Sequence, residues 1–220
     1  MKLPDCLTTP ELESEAVGLL RTYYGPRSDG RKLFAGRHFD TWLPGDPDEF
    51  TAEDVLALRF LSVNVPLRAM RELLEPDNRF NEQLADIDSA KDFWEAEPDE
   101  ESPQWKLYEL LRREDGIGPA ITSKLLARKR PHLVPIRDSV VARELGLGND
   151  FWKPLFEISK DNGLKERLES IKARAHSADV ALPDDLALLR VFDVVVWMSG
   201  RTAKAKTPTQ LKRAKDAHEP

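Results

Sequence analysis

Apolar residues recur at helical spacing along most of the chain, and this pattern predicts a protein built from α-helices. Sets of this kind lie in residues 9–24, 51–62, 66–74, 105–113, 119–129, 140–145, 151–158 and 164–175. The segment from Leu186 to Met198 is apolar nearly all round, which is typical of a helix buried in the core. Only Arg190 and Asp193 interrupt it, and we interpret Asp193 as a carboxylate that is capped or paired inside that helix.

Capping residues and prolines mark where several of these helices begin and end. Thr51-Ala-Glu-Asp54 has the residue types of an N-terminal capping box. Asp138 or Ser139 is suited to cap a helix that Gly146 closes. Pro66 either interrupts the preceding helix or starts the next one. The apolar face predicted for that next helix consists of Leu67, Ala69, Met70, Leu73 and Leu74.

Composition divides the chain into three parts. Residues 1–100 are predicted to form an N-terminal helical lobe with a long loop at 25–50, which includes a short extended piece near Lys32 to Phe34. The acidic run from Glu95 to Ser102 is interpreted as a solvated connector between lobes. Residues 101–199 form the second lobe, and the basic tail 200–220 is predicted to be disordered. The fold class is therefore all-α, a helical bundle of two small lobes.

Two glycines flank a single aliphatic residue between two predicted helices, in the stretch Asp115-Gly116-Ile117-Gly118-Pro119. Glycine tolerates the positive φ values of a tight hairpin, and proline suits the first turn of a helix because its missing N–H would have no partner there. The amides near Gly118 and the positive end of the second helix then make an anion site. The sequence predicts a helix-hairpin-helix that binds a phosphate through Gly116 and Gly118.

Basic side chains are concentrated on the second helix of this hairpin and just beyond it. We predict that they contact nucleic-acid phosphates. They are Lys124, Arg128, Lys129, Arg130 and Arg137. A simple ion pair between Arg137 and Asp138 is an equal alternative. The hairpin has an alternative too, as a tight turn in a helical bundle with Asp138 acting only as a helix cap.

The overall composition limits the kinds of partner and site. A net charge of −6 over 220 residues argues against a general nucleic-acid coat, although a local basic patch can act alone. Cys6 is the only cysteine and the histidines show no ligand spacing, so no metal and no cofactor are predicted. No apolar run is long enough to span a bilayer and no signal peptide is recognisable, which predicts a cytoplasmic protein with no membrane partner. The oligomeric state is left open.

Gly116-Ile-Gly118 followed by Asp138 resembles the helix-hairpin-helix DNA glycosylase superfamily. Members have a hydrophobic residue between two glycines, then a helix, then an apolar crossing into a catalytic aspartate. Here the crossing is Leu133-Val-Pro-Ile-Arg-Asp138, and the match covers residues 105–145. The resemblance implies that Gly116 and Gly118 hold a DNA phosphate through their amides. It also implies that Asp138 stabilises an oxocarbenium-like transition state or orients a water, with an extruded base in the cleft between two lobes.

The chain departs from the superfamily at several positions. Ala120 stands where bifunctional members carry a Schiff-base lysine, so lyase chemistry through that residue is not implied. Lys124 lies one helical turn further on. Val140 stands where a histidine is usual, and Glu114 with Asp115 replaces the usual leucine and proline. The two acidic residues place negative charge beside the predicted phosphate site.

Over its whole length the chain is also similar to a bacterial family with no assigned activity. The similarity is carried by Phe50-Thr-Ala-Glu-Asp-Val55, Leu61-Ser-Val63 and Val134-Pro-Ile-Arg-Asp-Ser-Val140. It implies a helical fold and no particular reaction.

Three functional hypotheses follow. The leading one is a nucleic-acid-binding protein, with duplex DNA as the expected partner, which grips phosphates through the hairpin without catalysis. The second is an enzyme, a monofunctional DNA N-glycosylase-like hydrolase that uses Asp138. The third is a helical scaffold that retains the fold and binds no DNA.

Overall fold

The computed structural model describes residues 2–26, 33–76, 78–95, 97, 99–148, 151–160 and 163–201. The regular structure in these ranges is helical, apart from one isolated antiparallel bridge between Ser177 and Val180. The prediction of an all-α fold is therefore confirmed. The basic tail beyond residue 201 and Lys32, where the extended piece was expected to start, lie outside the described residues.

The helices follow one another along the chain with short connections. They are α1 (Glu13–Tyr24), α2 (Ala52–Phe60), α3 (Leu67–Leu74), α4 (Arg79–Ala85), α5 (Pro103–Arg112), α6 (Pro119–Lys129), α7 (Ser139–Leu145), α8 (Trp152–Ser159), α9 (Leu164–Ala175) and α10, which covers residues 188–201. Short 3-10 helices precede α1 at Asp5–Leu7 and Pro10–Leu12, and a third occupies Ala35–His38.

The helix caps agree with the sequence pattern. Thr51 and Asp54 form the predicted capping box at the start of α2. Asp138, not Ser139, caps α7 by accepting a hydrogen bond from the Val140 amide. Gly146 closes α7 in the left-handed conformation at φ 65°, which glycine adopts without steric cost.

The sequence pattern did not predict α4, which lies between α3 and the acidic run from Glu95 to Ser102. Asn78 caps this helix by accepting from the amides of Phe80 and Asn81. Phe80 and Leu84, one turn apart, are buried against the rest of the protein. Two buried apolar side chains are enough to stabilise α4, because this helix packs on α5, which shields its inner face from water.

Leu67 was predicted to lie on the apolar face of α3, and the structure corrects this. It is the first residue of the helix and is 83% exposed, whereas Ala69 and Leu73 are buried. Pro66 holds the N-terminus of α3 at the protein surface against the turn that precedes α6. The side chain of Leu67 therefore projects beyond the packed face.

One hydrophobic core runs from Cys6 to Met198. Helices far apart in the chain contact each other, with α1 on α9 and α2 on α6, and the successive helices α4 and α5 also pack together. Val191, Val195 and Val196 of α10 are fully buried, as the apolar pattern of that helix predicts. The division into lobes near residue 100 stays a prediction. Across the described ranges, no helix has the length and apolar character needed to cross a bilayer.

Candidate nucleic-acid interface and cavity

The turn between α5 and α6 depends on the different geometry of its two glycines. Gly116 has φ +81°, and a Cβ there would lie 2.7 Å from Cγ of Pro66. Gly118 is the N-cap of α6 with an extended backbone, and a Cβ there would meet no described atom within 4 Å. Ile117 between them is buried and anchors the turn. Gly116 is thus required by the fold, whereas Gly118 leaves space open in front of α6.

We expect Gly116→Ala to destabilise the protein and Gly118→Ala to leave its stability nearly unchanged. Alanine at a positive φ costs about 1–3 kcal/mol before the contact with Pro66 is counted. The two variants carry the same chemical change at positions two residues apart, so each is the other's control in a thermal or urea melt. Equal melting temperatures for the two variants would contradict this account of the turn.

The acidic residues beside this turn are each bonded to an arginine from an earlier helix. Glu114 accepts a hydrogen bond from Arg79 of α4. Asp115 accepts one from Arg68 of α3 at 3.2 Å, and both of these side chains are highly exposed. The negative charge that the sequence places at the turn is therefore balanced by positive charge from elements far away in the chain.

The basic residues at the end of α6 lie far from this turn and are directed inward. Arg128 donates to the carbonyl oxygen of Phe39 at 2.6 Å and also contacts Asp54. Lys129 is bonded to Asp54 and to the carbonyl oxygen of Asp46, and burial lowers its pKa against the opposing effect of Asp54. These contacts fasten the loop that precedes α2 onto α6.

Arg130 is the most enclosed residue of this basic group, at 2% exposure. Its guanidinium donates to the carbonyl oxygens of Leu84 at 2.7 Å and Ile87 at 2.8 Å, and to Asp48 at 2.6 Å. A side chain held in this way satisfies backbone groups that would otherwise be buried without partners. The structure therefore gives Arg128, Lys129 and Arg130 a supporting role, which does not depend on a phosphate.

Lys124 and Asp138 form an ion pair between α6 and the start of α7, in which the lysine is buried and the carboxylate is partly exposed. Lys124 Nζ lies 3.1 Å from Asp138 Oδ2, and Lys124 is only 3% exposed. The other carboxylate oxygen of Asp138, Oδ1, accepts from the Val140 amide at 2.8 Å. Each oxygen has a second lone pair, so the carboxylate can accept a further hydrogen bond.

Backbone contacts fix Asp138 in this position. The Arg137 amide donates to Oγ of Ser123 at 3.0 Å, which ties the crossing segment to α6 one residue before Lys124. The Arg137 side chain turns away and donates to the carbonyl oxygen of Gly148. Neither an Arg137–Asp138 ion pair nor a contact of Arg137 with the turn at Gly116 is formed among the residues described.

The Lys124–Asp138 pair faces a cavity of about 600 Å³, which we call the α6–α10 cavity. Its aromatic walls are Tyr23, Phe34, Phe60 and Trp197. Its polar groups are Ser62, Lys124, Asp138, Ser139, Arg190, Asp193 and Arg201. Ala120, in the first turn of α6, also lines it. The same helix therefore begins at the glycine turn and carries Lys124 into the cavity one turn later.

The aromatic walls of the cavity are held in place by one another. The ring of Phe34 stacks on Tyr23 with centroids 5.5 Å apart, and Trp197 meets Phe34 edge-on at 5.9 Å. The Arg201 guanidinium lies over Trp197, 4.7 Å from the ring centroid. Phe34, Phe60 and Trp197 are only partly buried, so a ligand in the cavity can contact their rings.

A charged network lies at the inner end of the cavity. Arg190 donates to Asp40, to Asp193 and to the Tyr23 hydroxyl, which is 2.8 Å away. Burial raises the pKa of Asp193 to about 6, and the charge of Asp138 acts in the same direction, whereas Arg190 and Lys124 lower it. The expected pairing of Asp193 inside α10 is observed, but the residue also lines the cavity.

Other cavities of similar size contain none of the predicted site residues. One of about 480 Å³ lies beside α9 and includes His132 and His176. Another of about 650 Å³ lies among the acidic residues 88–104. Within the described part of the chain, no three histidine, cysteine or acidic residues are grouped so that they could hold a metal ion.

The sequence interpretation missed the aromatic walls, Arg190 and Asp193 as parts of a site. One signal was present in α10, where Arg190, Asp193, Trp197 and Arg201 are spaced three or four residues apart and so share a helix face. The other walls come from α1, α2 and the 3-10 helix region, and nothing in their local pattern indicates that they meet.

Comparison with known proteins places the chain in a family. A family model described as a Family of unknown function (DUF6308) matches residues 16–200. The chain belongs to this family. No curated protein and no solved structure matched the chain. The resemblance to DNA glycosylases stays a prediction.

Proposed function

We propose that this protein binds duplex DNA through the α5–α6 turn and acts as a monofunctional N-glycosylase-like hydrolase on a nucleotide that is extruded into the α6–α10 cavity. The observation that carries the proposal is the position of α6. Its N-terminus starts at Gly118, and its Lys124 meets Asp138 in an aromatic cavity. A phosphate at the turn and a base in the cavity would therefore be held by the same helix.

The phosphate site in this proposal is the N-terminus of α6. Gly118 caps the helix without a side-chain hydrogen bond, and Pro119 has no N–H. The Ile121 amide donates to the Gly118 carbonyl oxygen at 3.1 Å, so the Ala120 amide in the first turn is left for a ligand. The open space beside Gly118 lets a phosphate oxygen approach the backbone closely. The bonds from Arg68 to Asp115 and from Arg79 to Glu114 offset the negative charge nearby.

The cavity suits an extruded nucleobase by its size and chemistry. Partly exposed aromatic rings offer stacking surfaces, which are the usual partners of a base taken out of the helix. The carboxylate of Asp138 stands at the side of the cavity nearest α6 and would face the positive charge that develops on the sugar as the glycosidic bond breaks. Its bond to the Val140 amide holds it in one orientation.

Lyase chemistry is not part of this proposal. The residue that matches the Schiff-base position is Ala120, and Lys124 is engaged as the ion-pair partner of Asp138. A lysine that forms a Schiff base must be free to attack the sugar carbon, and Lys124 Nζ is held 3.1 Å from Asp138 Oδ2. Of the predicted phosphate ligands, Gly116 shapes the turn and Gly118 lies beside the phosphate. Arg128, Lys129 and Arg130 are not assigned to phosphate binding.

A noncatalytic DNA-binding protein remains the second candidate. It is favoured by the fact that both oxygens of Asp138 already have partners in the protein. In that case the cavity would be a structural feature and Asp138 a cap of α7. Preference for an abasic duplex and excision of a base are expected of the enzyme and not of the noncatalytic candidate.

Gly118→Ala should weaken binding to duplex DNA about tenfold, because the added methyl group prevents one charge-assisted hydrogen bond to a phosphate. We would measure fluorescence anisotropy with plain duplex and with duplex that contains a tetrahydrofuran abasic analogue, at two salt concentrations. Gly18→Ala is the matched control, since Gly18 is exposed on α1 and its Cβ would also meet no atom within 4 Å.

We expect tighter binding to the abasic duplex than to the plain duplex, and about tenfold weaker binding in Gly118→Ala than in Gly18→Ala. Salt-sensitive binding that is equal for both duplexes would favour the noncatalytic candidate. Absence of binding to either duplex by the unmodified protein would exclude both candidates for duplex DNA and leave the scaffold hypothesis.

A further inference from the structure

The Asp193 carboxylate belongs to the wall of the α6–α10 cavity, and the proposed function gives it no role. Asp193 is 6% exposed and lines the cavity from α10. Its Oδ2 accepts from Arg190, but its Oδ1 is buried and has no hydrogen-bond partner among the described residues. Since a buried polar atom without a partner is costly, a residue of a cavity wall that carries such an atom is a place where a ligand is expected to bind.

We infer that Asp193 is the proton donor to the departing base, an inference that rests on the proposed N-glycosylase function. The two carboxylates of the cavity would then divide the reaction between them. Asp138, ion-paired with Lys124, acts on the sugar and on the attacking water. Asp193, which lines the cavity and has an oxygen without a partner among the described residues, acts on the base. A division between two carboxyl groups in unequal environments is the general pattern of glycoside cleavage.

The environment of Asp193 favours its protonated form. Five charged or titratable groups surround it: Arg190 on its own helix, Asp40 through that arginine, Tyr23 on α1, Lys124 on α6 and Asp138 at the start of α7. Burial outweighs the two cations and, with Asp138, raises the pKa to about 6. A carboxyl group that titrates there can hold a proton and still release it in the same reaction cycle.

The reaction balances with water as the only co-reactant. The bond between C1′ and the base nitrogen breaks, its electron pair goes to the base, and the base takes the proton of Asp193. Water adds its oxygen to C1′ and gives a proton to Asp138. The products are the free base and an abasic deoxyribose, and both carboxyl groups regain their starting states by exchange with solvent.

The first test is single-turnover excision as a function of pH with duplexes that contain deoxyuridine, deoxyinosine or 7-methyldeoxyguanosine. For a neutral base we expect the rate to fall tenfold per pH unit above about 6, and Asp193→Asn to lower the plateau roughly 10²-fold. The base of 7-methyldeoxyguanosine is already cationic and leaves without a proton, so the variant should excise it at nearly the unmodified rate. Asp179→Asn, at an exposed position, is the control.

The outcomes separate this inference from the proposed function. If the unmodified protein excises a neutral base and Asp193→Asn keeps both the rate and the pH profile, the proton-donor role is overturned and the enzyme function stands. If the unmodified protein releases no base from any of the three duplexes, the enzyme function is overturned and the inference is overturned with it.

A second measurement checks Asp193 without any substrate. Carbon-13 NMR of labelled carboxyl groups, with Asp193→Asn used to assign the signal, should show one aspartate that titrates near 6. The free energy of unfolding should depend on pH in the way that a raised pKa of Asp193 predicts. Because the folded pKa lies above the unfolded value of 3.8, this group's contribution is fully present below 3.8 and is lost as pH rises through about 6. Titration of Asp193 near its ordinary value would contradict the inference.

Discussion

Replacing Asp138 with asparagine is expected to lower the rate of base excision by at least about 10²-fold while duplex affinity stays within about twofold, the pattern of a group that acts in the transition state. Asparagine keeps an oxygen for the Val140 amide, so the cap of α7 is retained. It removes the negative charge that would face the sugar. Single-turnover excision and anisotropy on the same protein preparation measure the two quantities.

This substitution also leaves the ammonium group of Lys124 buried without its carboxylate. The double variant Asp138→Asn/Lys124→Gln removes that charge and should melt closer to the unmodified protein than Asp138→Asn does. Turnover should remain lost in both variants. Full excision activity in the double variant would mean that Asp138 is only the cap of α7 and that another group carries out the excision.

The largest stability change is expected for Arg190→Leu, which should destabilise the protein by about 3–5 kcal/mol because it leaves buried carboxylates without their cation. Asp40 and Asp193 would lose their partner, and the Tyr23 hydroxyl and the Gly36 carbonyl oxygen would each lose a donor. For a chain of this size, each kcal/mol corresponds to about 2–4 °C in melting temperature. Thermal melts at pH 7 provide the measurement.

Arg143→Leu is the matched control, because Arg143 pairs with Glu144 at 2.9 Å on the surface. Loss of such an exposed pair is expected to cost about 0–1 kcal/mol. The triple variant Arg190→Leu/Asp40→Asn/Asp193→Asn should recover part of the loss, since it no longer buries unpaired charge. If Arg190→Leu melted like Arg143→Leu, the network would not stabilise the fold as the structure indicates.

Local sequence determined the helices with strong periodicity and their ends. α6 begins at Pro119 and ends at Lys129, as the pattern predicts. Asp138 and Gly146 bound α7, and Gly116 takes the positive φ. These features depend on neighbouring residues only, because caps, prolines and glycines act through the backbone within one or two turns. The same locality explains why α4 was missed, since its burial depends on α5.

The cluster Arg128–Arg130 shows what sequence composition leaves open. Three successive basic residues are typical of a phosphate-binding surface, yet their partners here are carbonyl oxygens and carboxylates of residues 39–54 and 84–87. Whether a cation faces solvent or the interior depends on which distant segment packs over it. No pattern within α6 carries that information.

The sequence by itself determined an all-helical chain with a glycine turn and an aspartate placed after a short apolar crossing. Only the tertiary structure decided that Lys124 meets Asp138, and that rings from α1, α2 and α10 enclose them. It also decided that Arg68 and Arg79 offset the acidic turn. The physical reason is that helix formation and capping depend on near neighbours, whereas a cavity and its charge balance arise from segments far apart in the chain, brought together by burial of a common core.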